Sequence, residues 1–172
     1  MMNPGKLTVT AMGDREIRMS RVFDAPRRMV FDAWTKPALL RRWLGVFGGW
    51  SMAVCEVDLR VGGAFRFVWR HETGGEMGMR GTYLEVVPGE RLKSTEVFDE
   101  RWYEGDAVGT LTFEEEGGRT TLTNAVLYAS REARDGVLKS PMEQGVGAGY
   151  DNLARLLASP EAFESAAAEA LS

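Results

Sequence analysis

Apolar and polar residues alternate along much of this chain with the two-residue period of a β-strand. Between Glu16 and Phe23, Ile17, Met19, Arg21 and Phe23 fall on one side, and Glu16, Arg18, Ser20 and Val22 on the other. The period then changes. Asp24-Ala25-Pro26 offers a helix start, since proline at the first helical position gives up an N–H that had no partner to lose. Met29, Val30, Ala33 and Trp34 follow at helical spacing. Thr35-Lys36-Pro37 stops that helix and opens another, with Leu39, Leu40, Trp43 and Leu44 on one face, and Gly45 to Gly49 breaks it. From Trp50 to about Leu127 the chain reads as strands near 51–59, 63–71, 77–87, 91–98, 107–115 and 119–127. Gly62-Gly63, Gly74-Gly75, Val87-Pro88-Gly89-Glu90 and Gly117-Gly118 punctuate them, and strands joined by tight turns make an antiparallel meander.

Helical spacing returns after the meander. Ser130 can cap a short helix over 131–138, and Ser140-Pro141 opens a longer one over 141–157 carrying Met142, Val146, Tyr150, Leu153 and Leu157. Ser159-Pro160-Glu161 is a third start signal, with Phe163, Ala167 and Leu171 as a weak apolar stripe. A twisted antiparallel sheet needs one face covered, and the long helix is the predicted cover. The expected class is α+β: one sheet wrapped around a long C-terminal helix, with two short helices after the first strand. Those two helices argue against a plain barrel or sandwich.

Composition narrows the function classes. The chain has 172 residues, 44% of them apolar, enough for one sizeable core and too few for two ordinary domains. Its net charge is −4, with no basic block, so neither nucleic acid nor an anionic membrane is an expected partner. Cys55 and His71 stand alone in their types, so an internal disulfide cannot form and no zinc ligand set can be assembled. No metal or other cofactor is expected. Met1 to Thr10 holds no export-type apolar run, and no stretch approaches the ~18 apolar residues of a membrane span, which fits a cytoplasmic protein. Gly 20, beside five Trp, eight Phe and nine Met, suggests tight turns around a roomy apolar interior.

Several stretches carry a family resemblance. They are Val22-Phe23-Asp24-Ala25-Pro26, Ala33-Trp34-Thr35-Lys36-Pro37, Arg42-Trp43 and Asp58-Leu59-Arg60-Val61-Gly62-Gly63. Gly81-Thr82-Tyr83-Leu84-Glu85-Val86-Val87-Pro88, Glu90-Arg91-Leu92 and Met142-Glu143-Gln144-Gly145 continue the series. Together they resemble the helix-grip fold of the START-like (SRPBCC, Bet v 1-like) superfamily, and within it the bacterial homologues of the activator of heat-shock-protein-90 ATPase. The resemblance runs over about 15–158, leaving 1–14 as an expected flexible N-terminus and 159–172 as an extension. It implies an apolar cavity between sheet and long helix, of the kind relatives use for lipids, hormones or polyketides. It supplies no shared catalytic set. The family name raises a chaperone partner, and the extension leaves a homodimer open; no residue pattern requires either.

The residues can be tested for such a cavity. If Val57 faces Phe65, Cys55 faces Phe67 and Ala53 faces Trp69, one side of that hairpin is apolar, and Glu56 meets Arg66 on the other. Met77, Met79, Gly81 and Tyr83 extend the apolar side by parity. Gly145 and Gly149, four apart, lie on one face of the long helix. Either they bring it close to the sheet or they leave room for a ligand. Trp43, Phe47 and Trp50 flank the Gly45–Gly49 loop at the expected mouth, and Trp102-Tyr103 in a polar connection suggests a lid or partner surface. Candidate cavity residues are therefore Trp43, Phe47, Trp50, Phe67, Trp69, Met79, Tyr83, Met142, Gly145, Gly149 and Tyr150. Glu85, Glu96, Thr110 and Asn124 add polar groups where parity points inward.

Catalytic motifs are absent. Cys55 and His71 sit about 13 Å apart in that register, beyond the ~3 Å reach a thiol dyad needs. Gly145-Val146-Gly147-Ala148-Gly149 neither has dinucleotide-loop spacing nor opens a helix after a strand. The leading expectation is a binder of a small apolar molecule. An alternative is a cyclase- or isomerase-like enzyme in which an inward Glu, raised in pKa by desolvation, works with Tyr83 or Tyr150. A chaperone-ATPase-activator module is the third reading.

Overall fold

The computed structural model describes residues 5–169. Eight antiparallel strands form one sheet: β1 (Thr8–Met12), β2 (Glu16–Phe23), β3 (Trp50–Val57), β4 (Ala64–His71), β5 (Glu76–Val87), β6 (Arg91–Phe98), β7 (Ala107–Glu116) and β8 (Arg119–Leu127). Their spatial order is β1-β2-β8-β7-β6-β5-β4-β3. Strands β3 to β8 are a meander of consecutive hairpins, as the glycine-punctuated pattern predicts. The helices α1 (Arg27–Thr35) and α2 (Pro37–Leu40) carry the chain from β2 across to the far edge at β3. After β8 come α3 (Arg131–Lys139), α4 (Met142–Leu157) and α5 (Pro160–Glu169).

The C-terminal helix starts rest on the serines that announce them. Ser130 Oγ accepts from the Ala133 N–H at 3.0 Å, Ser140 Oγ from Met142 at 3.3 Å, and Ser159 Oγ from Ala162 at 3.4 Å.

Two expectations change, and the start signal at Ser159 opens a helix. The N-terminal stretch read as flexible contains β1, which pairs with β2 from Thr8↔Ser20 to Met12↔Glu16; residues 1–4 lie outside the described residues. The extension beyond 159 contains α5, seated by Phe163 at 2% exposure and by fully buried Ala166; Leu171 lies outside the described residues. The β3–β4 register holds for Val57↔Phe65, Cys55↔Phe67 and Glu56↔Arg66, but a bulge between Met52 and Val54 puts Met52 opposite Trp69 and leaves Ala53 unpaired. Arg66 does not turn to Glu56. It forms a two-pronged pair with Asp99 at 2.6 Å per bond, which Arg80 joins at 3.1 Å, and these bonds hold the Asp99 carboxyl below its usual range.

The core divides in two. One cluster joins Phe65, Phe67, Trp69 and Tyr83 of the sheet to Trp43, Phe23 and the Tyr150–Leu157 stripe of α4. The second gathers Ile17, Met19, Val126 and Tyr128 with Ala133 and Val137 of α3. Val146 of α4 packs on both.

Candidate functional site

Between these clusters the inner face of the sheet turns polar and small. Leu92, Ser94, Glu96 and Phe98 alternate onto that face of β6. The register Met79↔Phe98 and Tyr83↔Ser94 sets Glu96 level with Gly81 on one side, and Ala107 faces it on the other. Gly109 pairs with Ser94 and Val126, while Asn124 pairs with Met19 and Leu111. A side chain at Gly109 would begin 2.8 Å from Glu96 Oε2 and 3.7 Å from Asn124 Oδ1. A side chain at Gly81 would run into the Thr95 carbonyl and the Phe65 ring. Gly109 thus leaves the Glu96 carboxylate and the Asn124 amide facing the same small gap, while Gly81 is required by the close approach of Thr95 and Phe65.

Aromatic rings roof this gap. Tyr103 stands edge-on to Tyr128 at 5.2 Å, to Trp102 at 5.1 Å and to Phe98 at 6.2 Å between centroids. Tyr150 approaches from α4, edge-on to Phe23 at 5.7 Å. A recess of about 10 Å³, the size of one water, lies among Glu96, Phe98, Arg101, Trp102, Tyr103 and Gly105. It adjoins an open depression of about 480 Å³ over the 101–105 connection.

The electrostatics follow from burial. Desolvation alone raises the Glu96 carboxyl from 4.5 to about 7, with no basic group to offset it. The phenols of Tyr103, Tyr128 and Tyr150 are raised above their ordinary range, first by burial and then by the charge of Glu96. Arg21 works in the opposite direction on Tyr150. Its guanidinium, 7% exposed, binds Asp151 of α4 at 2.9 Å, and its Nε has no partner among the described residues. Tyr150 thus stands between a buried anionic site and a buried cation.

The other candidates are placed as follows. Glu85 follows a β5 bulge, forms an ion pair with Arg91 at 3.3 Å and is substantially exposed, which corrects its assignment to a cavity. Trp43 is fully buried core, its indole N–H donating to the Ala33 carbonyl at 3.0 Å. Trp69 donates to the Leu44 carbonyl at 2.8 Å, and Gly45, at φ +71°, is the residue its indole covers; any Cβ there would strike the ring. Phe67 is buried and Met79 packs beside it in the first cluster. Tyr83 is buried with its phenol raised, first by desolvation and then by the charge of Cys55. Trp50 lies edge-on to His71 at the hairpin end.

Gly145 and Gly149 answer the question left open about the helix. A Cβ at Gly145 would sit 3.3 Å from the Phe47 ring, and one at Gly149 3.4 Å from the Trp43 carbonyl. They bring α4 against the 43–47 segment, not against the sheet. Met142 packs on the second cluster, and Thr110, on the opposite parity to Gly109, leaves the inner face.

Cys55 carries no nucleophilic chemistry, because burial pushes its thiol up to about 11. His71 is engaged with the Gly48 carbonyl at 2.9 Å and with Thr73. Among the described residues no group of three His, Cys, Asp or Glu could hold a metal ion, and no helix is long and apolar enough to cross a membrane. Sequence reasoning flagged Tyr103 only within a lid or partner surface, and missed Phe98, Tyr128, Gly109 and Arg21 as part of this region. The signal was present in the continued alternation Leu122, Asn124, Val126, Tyr128, which carries Tyr128 inward just past the strand end.

The sequence signature described as activator of Hsp90 ATPase homolog 1-like protein matches residues 24–158. The chain belongs to that family. Solved structures agree with this membership and with the helix-grip fold. A Rhodobacter sphaeroides protein is 33% identical, covering 88% of this chain and 97% of its own, with a TM-score of 0.83. A Chromobacterium violaceum protein is 30% identical over 83% and 96%, with a TM-score of 0.71. One from Nitrosomonas europaea is 25% identical over 88% and 99%, at 0.77. No protein of curated function matches the chain.

Proposed function

We propose that this family member binds a small, largely apolar molecule on the sheet face that α4 covers, with Glu96 as the polar contact. One observation carries the reading. The side chains of Glu96, Asn124, Tyr103, Tyr128 and Tyr150 gather at one place, and none makes a hydrogen bond within the protein among the described residues. Tyr128 and Tyr150 are buried while Glu96, Asn124 and Tyr103 are half-buried, so these polar atoms remain open to a small partner and have none among the described residues. A convergence of unpaired polar groups beside Phe98, Trp102 and Tyr103 is the composition of a ligand site: apolar lining with a few polar atoms. The same inward carboxyl, poised near neutrality, also suits proton transfer to an enolisable carbonyl compound, which keeps catalysis as the second reading.

The test is retention. Incubated with a bacterial metabolite extract, desalted and sprayed under native conditions, the protein should keep a non-covalent organic adduct. Gly109→Leu, whose side chain takes the space at Glu96 Oε2, should not. Equal retention by both proteins, or none by the wild type, would contradict the proposal.

A further inference from the structure

We propose that the recess beside Glu96 takes the primary ammonium head of an organic amine, whose apolar body lies along the 101–105 depression. This inference rests on the ligand-binding reading above and names the class of ligand.

The pairing chemistry is one-sided. Glu96 makes no ion pair, and its surroundings contribute no cation. Gly81 and Ala107 flank it across the sheet, Asn124 is neutral, and the nearest facing groups are the phenols of Tyr103, Tyr128 and Tyr150. Arg101 lines the recess, but its guanidinium is held by Asp106 at 3.0 Å. Glu104 lies on the same rim, so the charges at the mouth do not repel a cation. A half-buried, desolvated carboxylate without a counter-charge is the feature an ammonium complements, with charge and with three N–H donors.

The rings favour the same charge. Phe98, Trp102, Tyr103 and Tyr128 form a chain of edge-to-face contacts, with centroids 5.1–5.9 Å apart for the pairs Phe98–Trp102, Trp102–Tyr103 and Tyr103–Tyr128. Aromatic faces attract cations, most strongly where water is excluded. An anion would meet the Glu96 carboxylate and is disfavoured. Size selects further. About 10 Å³ is room for one water-sized group, which favours –NH₃⁺ over the bulkier –N(CH₃)₃⁺. Trp102, 48% exposed, offers an accessible ring beside the depression for the rest of the molecule.

Calorimetry with four matched probes tests this at pH 7.5: naphthalen-2-ylmethylamine, its N,N,N-trimethyl derivative, naphthalen-2-ylmethanol and naphthalene-2-carboxylate. The primary amine should bind at least about tenfold more tightly than the alcohol, and the carboxylate most weakly. Glu96→Gln should abolish the preference, bringing the amine to within about twofold of the alcohol. Equal affinity for amine and alcohol would overturn this inference and leave ligand binding standing. A trimethyl derivative as tight as the primary amine would overturn the recess as the seat of the charge. Failure of all four to bind would overturn this inference and the proposed function together.

Discussion

Trp43→Ala should lower the unfolding free energy by about 3–5 kcal/mol, the range for deleting a large buried aromatic. Trp43 is fully buried at the junction of three parts of the fold. Its indole meets Trp34 of α1 edge-on at 4.7 Å and Tyr150 of α4 at 6.1 Å, and its N–H satisfies the Ala33 carbonyl. Its backbone carbonyl lies beneath Gly149. Truncation leaves a cavity and an unpaired buried carbonyl together. Trp43→Phe keeps most of the volume and gives up chiefly the hydrogen bond, so it should cost about 1 kcal/mol for that bond plus a smaller packing loss. Urea unfolding of the three proteins, compared at constant m-value, reads both numbers. A loss under about 1 kcal/mol for Trp43→Ala would show that this junction does not hold the helices as described.

The second large effect is a pH dependence opposite to that of most carboxylates. Glu96 is raised from 4.5 to about 7 in the folded protein. Between those values the folded state keeps a proton that the unfolded chain has released. Stability therefore falls as pH rises through this window and levels off above it. The full difference amounts to about 3 kcal/mol, from the 1.36 kcal/mol carried by each pKa unit. Of the groups facing Glu96, the three phenols are raised above their ordinary range, and Arg101 and Arg21 form ion pairs with Asp106 and Asp151. Other carboxylates, such as Asp99, slope the other way. The quantity to measure is accordingly the stability of Glu96→Gln minus that of wild type at pH 4.5, 6 and 8. It should grow with pH and then plateau; a difference independent of pH would remove the buried, unpaired carboxyl from the account.

Much of the fold was legible because its signals are local. Serine caps, glycine turns and period-two alternation placed β3 to β8, α1, α3 and α4 within a residue or two, while α2 ends at Leu40, short of the expected helix that reached Leu44. The β1 strand was not legible: Thr8–Met12 has only Val9 half-buried, so it pairs through backbone hydrogen bonds that no side-chain pattern announces. The bulge at Ala53 was hidden for a related reason. Met52 and Ala53 are both apolar, so the slip leaves the hydrophobic pattern unchanged.

The site was legible in one residue and obscure in its surroundings. Parity along β6 carries Glu96 inward, and its two small neighbours, Gly81 and Ala107, lie on strands whose register only the sheet fixes. Glu85 misled because a bulge two residues after Tyr83 reversed its parity and gave it to Arg91. The helix glycines misled because their partner is the 43–47 segment, which sequence spacing could not bring beneath α4. Tyr103 and Tyr128, about 25 positions apart, meet only when the 99–106 connection folds back over the end of β8.

Backbone-amide NMR of the wild-type protein titrated with naphthalen-2-ylmethanol tests the Glu96 site most directly. The account predicts saturable shifts that are largest at Glu96, Gly109 and Asn124 and along the 101–105 connection. Shifts centred instead on Gly145–Gly149 and the 43–47 segment, or none that saturate, would contradict it.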